Sequence, residues 1–143
     1  SDGTLNMYGS EPYYVQLILF ATLSGISKVG YYLGTGTSAV NVNCGFTGGA
    51  RFILIKREDA AGYWYMFDTG NAVSKTGSSI ATGNDFWTAV SSSDESISTM
   101  DVIDPYAQGF SVPASSVTNG SQAYSSGCPI NVNGAKYIFL AVA

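Results

Sequence analysis

The chain has 143 residues, with 10 acidic and 6 basic side chains, no histidine and a net charge of −4. That length suits one domain with a core of its own, close to the commonest domain size of roughly 100–150 residues. With no basic cluster beyond Lys56-Arg57 and no apolar run near the roughly 20 residues of a bilayer span, nucleic acid and membrane insertion are both excluded as expectations.

Charged residues make up only 11% of the chain, against about 25% in ordinary soluble proteins. The surface must therefore be built from Ser, Thr, Asn and Gly. Together with 17 Gly, 10 Tyr and 7 Phe, this predicts a β-rich protein that lives outside a cell or inside a larger assembly.

Residues 1–12, SDGTLNMYGSEP, read as a polar arm, and residues 13–143 as a single all-β domain, an antiparallel β-sandwich of jelly-roll-like type. The first strand is expected over Tyr13–Leu23, with a short helix as the alternative that its Leu, Ile and Ala leave open. No Lys or Arg precedes its apolar part, so it does not read as a secretory leader. KVGYYL at Lys28–Leu33 follows, then the link GTGTS, then the alternating run AVNVNCGF at Ala39–Phe46. In Phe52–Ile55 four apolar residues are consecutive, which predicts a strand covered on both faces. Glu58–Gly62 has hairpin length, and Tyr63–Asp68 returns with Tyr63, Tyr65 and Phe67 on one face and Trp64, Met66 and Asp68 on the other.

Gly70–Asp85 reads as an exposed loop, Phe86–Val90 and Ser96–Ile103 as strands, 104–108 as a loop and Gln108–Val112 as a short strand. After the small-residue loop Pro113–Gly127, Asn133-Gly134 between two β runs predicts a hairpin. The final run KYIFLAVA is expected inside a sheet.

Chemistry is sparse. GTGTSA at Gly34–Ala39 matches a relaxed dinucleotide fingerprint, but VNVN follows where a helix is required, so it reads as a turn. Without histidine there is no Ser-His-Asp or Cys-His arrangement, and no catalytic residue is nominated. Asp68, Asp85, Asp101 and Asp104 could supply paired carboxylates for glycoside hydrolysis, yet acids beside Gly, Ser and Pro read first as turn and cap residues. Asp and Asn near DTGN and GND could offer oxygens to calcium, without EF-hand spacing. No metal site and no cofactor is expected. Cys44 and Cys128 allow one disulfide or none. Aromatics within the apolar runs read as core, whereas Trp87, Tyr106 and Tyr124 lie near loops and, with Asn84 and Asp85, are the candidate ligand-binding residues.

GYYLGTGTS, VNCGF, ARFILIKREDAAGYWYMFDT, GFSV and NGAKYIFLAVA, in that order, resemble an uncharacterised domain near the C-termini of bacteriophage structural proteins, notably tail-fibre-like proteins of marine and cyanobacterial phages. The resemblance covers roughly Lys28–Ala143. The chain departs from it at Thr69-Gly70-Asn71, where that family carries an Arg-Gly, so no role of that arginine is carried over. The resemblance implies a non-enzymatic virion protein. Two such roles are expected: a tail-fibre attachment module, trimeric and binding a host surface glycan or protein through loops 70–85, 104–108 and 113–127, or a decoration protein cementing other virion subunits. A depolymerase acting through carboxylates such as Asp85 and Asp101 is the enzymatic alternative.

Overall fold

The computed structural model describes residues 18–68, 102–114 and 130–143 in full, and residues 85–90 and 95–100 through their backbone. Nine strands are present among them: β1 Ser27–Leu33, β2 Val40–Asn43, β3 Phe52–Arg57, β4 Trp64–Asp68, β5 Asp85–Val90, β6 Glu95–Met100, β7 Asp104–Tyr106, β8 Gly109–Val112 and β9 Lys136–Val142. They form a six-stranded sheet in the order β1-β9-β3-β4-β5-β6 and a three-stranded sheet in the order β2-β8-β7. Every pairing is antiparallel, and the fold is an all-β sandwich, as composition and alternation imply.

The core lies between the sheets. The large sheet contributes Tyr32, Ile53, Ile55, Tyr65, Phe67, Tyr137 and Phe139, and the small sheet Val42, Phe110 and Val112. Each fully buried apolar side chain of this size stabilises the fold by about 1.5–3 kcal/mol. Two aromatic contacts cross the sandwich: the Phe110 ring stands edge-on to Phe139 at 5.3 Å and to Tyr32 at 6.2 Å. Tyr32 stacks on Tyr137 at 5.1 Å and donates its hydroxyl to the carbonyl of Ile130.

The hairpin of β3 and β4 forms with Lys56 opposite Trp64 and Phe52 opposite Asp68, and Tyr65 and Phe67 are the buried row, as their alternation predicts. The final run becomes β9, inserted between β1 and β3. Covering both faces of β3 was an expectation that needs correction. Ile53 and Ile55 are fully buried, but Phe52 and Leu54 on the outer face are only half-buried.

Three further expectations change. The strand expected over Tyr13–Leu23 is absent over residues 18–22, and residues 13–17 lie outside the described ones. Instead Leu23 and Ser27 close a tight turn through reciprocal backbone bonds, and the Thr22 hydroxyl accepts the Val29 N–H at 3.1 Å. The segment before β1 is thus tied to it by one isolated backbone bridge and by the Thr22 and Ser27 hydroxyls rather than by a ladder. Asn133-Gly134 does make a turn, with Gly134 at φ +72° and the Ala135 N–H donating to the Val132 carbonyl, but Ile130–Val132 is no strand. Its partner is the GTG link: Gly34 and Gly36 donate to Ala135 and Asn131, and a Cβ on Gly34 would collide with the Val132 carbonyl oxygen. Asn131, fully buried at this junction, accepts the Thr35 N–H and donates to the carbonyls of Ser38 and Pro113. Finally, the expected loop 104–108 contains the short strand β7.

The polar arm 1–12, the loop residues 70–84 and 115–127, and Cys128 lie outside the described residues. Cys44 is a buried free thiol.

Candidate functional site

Of the residues nominated from sequence, Tyr106 sits at a formed cleft. It closes β7, and β7 and β8 are joined by the two-residue turn Ala107-Gln108. Facing that turn is the connection from β2 to β3, residues 44–51. Four backbone bonds staple the two together. The N–H groups of Cys44 and Phe46 donate to the Gln108 carbonyl at 2.8 and 3.2 Å, Gly49 donates to Ala107 at 2.8 Å and Ala50 to Gly109 at 2.7 Å. Gly49 has φ +80°, and a Cβ there would lie 3.1 Å from the Tyr106 carbonyl oxygen, so conformation and close approach both require glycine.

Between these stapled segments lies an open cleft of about 240 Å³, lined by Gly48, Gly49, Ala50, Pro105, Tyr106 and Ala107 together with Gly109. No charged side chain is found among the described residues that line it. The volume falls below the roughly 300–1,000 Å³ of a typical small-molecule pocket, which suits one ring-sized group of a larger ligand. The Tyr106 hydroxyl donates to Gln108 Oε1 at 2.6 Å, and Asn43 Nδ2 donates to the same oxygen at 3.2 Å. Asn43 is itself oriented by the Gly45 N–H, which donates to its Oδ1 at 2.8 Å. The tyrosine is therefore held by a small amide network rather than left to rotate. Its hydroxyl oxygen keeps acceptor capacity, because it acts as donor in that bond.

The other nominated residues are not brought to this cleft within the described structure. Trp87 and Asp85 lie on β5 of the large sheet, opposite Ser98 and Met100 of β6, whereas Tyr106 belongs to the small sheet. Trp87 lies within β5, in the run Phe86–Val90 read as a strand from the sequence. Asn84 and Tyr124 lie outside the described residues, as does Asp101. Sequence reasoning missed Asn43 and Gln108. Asn43 alternates with Val40 and Val42, which marks it as facing away from the core, and that was the available signal.

Among the described residues no group of three or more His, Cys, Asp or Glu side chains could hold a metal ion. No helix among them is long and apolar enough to cross a membrane. Cys44 borders the stapled loop, but burial pushes its thiol up from 9.0 to about 11 against the opposing pull of Lys28. A thiol in that state is a poor nucleophile at neutral pH.

A family model described as a domain of unknown function, DUF7483, matches residues 6–143. The chain belongs to the DUF7483 family. The match spans both sheets, the cleft and the segment before β1, so the DUF7483 domain takes in the whole sandwich rather than one sheet of it. No curated protein and no solved structure matches the chain.

Proposed function

We propose that this DUF7483 domain is a non-enzymatic structural protein of a bacteriophage virion, a tail-fibre attachment module that recognises a neutral host surface glycan at the Tyr106 cleft. The observation that carries the reading is a cleft whose described lining is uncharged and includes Tyr106, an aromatic residue whose hydroxyl is held by a small amide network. A tyrosine ring offers apolar area to a sugar face at low entropic cost, and hydroxyl and amide groups match sugar hydroxyls. An ionised ligand would find no counter-charge among the described lining residues. The ordered motifs that resemble those of tail-fibre-like phage proteins support the same reading.

A direct test is titration of the purified domain with neutral oligosaccharides from a host surface, followed by calorimetry. Tyr106→Ala should weaken binding by at least tenfold, about 1.4 kcal/mol, while Tyr106→Phe should retain most of it. Undiminished binding by Tyr106→Ala would remove the cleft from recognition.

A decoration role is the second reading, and one observation favours it: large apolar side chains exposed before and along β1. A depolymerase would need carboxylates beyond the described lining of this cleft, which holds none.

A further inference from the structure

An asparagine followed by glycine carries a reaction of its own, because glycine has no side chain to hinder its amide nitrogen. That nitrogen, once it gives up its proton, attacks the side-chain carbonyl carbon of the asparagine. The carboxamide C–N bond breaks, ammonia leaves and a five-membered imide closes. Water then opens the imide. Opening at the side-chain carbonyl gives aspartate, and opening at the main-chain carbonyl gives isoaspartate, whose main chain is one carbon longer.

Asn133-Gly134 presents the reactants in the open. Both residues are exposed, and the Asn133 carboxamide bonds to none of the described residues. What the fold withholds is a free nitrogen. The Gly134 N–H donates to the Gly34 carbonyl at 2.9 Å, and the Gly34 N–H donates to the Ala135 carbonyl at the same distance. A nitrogen held in that bond keeps its proton and does not swing toward the side chain. The turn adds a second restraint: Gly134 has φ +72°, Asn133 does not have positive φ, and the Ala135 N–H donates to the Val132 carbonyl, the pattern of a type II turn.

The junction around this bond is closely fitted. A Cβ on Gly34 would collide with the Val132 carbonyl oxygen, and a Cβ on Gly36 would come within 2.9 Å of the Asn133 Cβ. The Tyr137 hydroxyl accepts the Val132 N–H at 3.1 Å, and β9 begins at Lys136, two residues beyond the glycine. An isoaspartate, with its longer main chain, does not fit between these fixed points. Once formed in an opened junction, it keeps the Gly34 bond from closing again.

We propose that Asn133 is a deamidation site latched by the Gly34 carbonyl. It stays intact while the GTG link and the start of β9 are joined and converts when that junction opens, so the modification records an opening of this corner and makes it permanent. The proposal is independent of the attachment reading.

The test is mass spectrometry of the full chain incubated in mildly alkaline buffer. Chymotryptic cleavage after Tyr124 separates Asn133 from the chain's other Asn-Gly pair, Asn119-Gly120. Folded wild type should convert Asn133 at least about tenfold more slowly than the same chain in urea, and folded Gly34→Ala at least about tenfold faster than folded wild type. Amide hydrogen exchange at Gly134 is the companion measurement. Folding should slow exchange and deamidation by the same factor, because one opening frees the same nitrogen for both. That comparison needs only wild type, so it decides the matter even where Gly34→Ala fails to fold. In the isolated isoaspartate form the Gly134 amide should exchange at least about tenfold faster than in unmodified protein. Folded wild type that deamidates as fast as the unfolded chain overturns the proposal. So does a folded Gly34→Ala with the wild-type rate, or a deamidation rate in folded protein that outruns the opening measured by exchange.

Discussion

Cys44 shows how one residue's surroundings set a pH response. It is 7% exposed, its thiol reaches only toward the Val42 carbonyl at 3.8 Å, and desolvation raises its pKa from 9.0 to about 11. Between those values the unfolded chain releases the Cys44 proton while the folded chain holds it. The unfolded state then binds fewer protons, so stability is intact below pH 9.0 and falls as pH rises toward about 11. By about pH 10 the loss should be on the order of 1 kcal/mol. Urea unfolding at about pH 8 and about pH 10, in a Cys128→Ser background, should show a steeper decline with Cys44 than with Cys44→Ala. Parallel declines would mean that the thiol is not desolvated. The same scale explains what a single residue type can disclose. Tyr106 was legible because an aromatic outside the apolar runs has no core strand to fill. Asn43 and Gln108 were not, because an amide in an alternating run looks like any solvated side chain until the chain crossing brings its partner to it.

At the scale of elements, β9 connects everything: it pairs with β1 on one side and β3 on the other, and its residues alternate between the sandwich interior and the outer face. Phe139 is 4% exposed, meets Phe110 and Tyr32, and covers Gly30, where an added Cβ would come within 3.0 Å of the ring. Phe139→Ala should therefore cost about 3–5 kcal/mol, a large share of the roughly 5–15 kcal/mol of a typical domain. Ile138→Ala, its half-buried neighbour on the outer face, should cost clearly less in monomeric protein. Equal losses in denaturant unfolding would contradict a core confined to one face. Strands with strong alternation or long apolar runs, such as β3, β4 and β9, were legible because burial imposes a period of two on them. β7 was not, since three residues around Pro105 carry no period, and proline is tolerated there because β7 is an edge strand. Asn133-Gly134 made its turn, but the partner of that turn is fixed by the collision any side chain at Gly34 would cause, and such a long-range contact leaves no local pattern.

At the scale of the whole molecule, the cleft and the core are separable: the cleft is built on β7 and its facing loop, whereas the core side chains lie between the two sheets and do not include Tyr106. Tyr106→Ala should therefore weaken glycan binding while shifting stability by no more than about 1 kcal/mol, as a substitution away from the core does. Thermal unfolding and oligosaccharide titration on the same sample check this. A variant that unfolds early as it loses binding would make Tyr106 a residue that holds the β7 turn to its facing loop rather than one that meets a ligand.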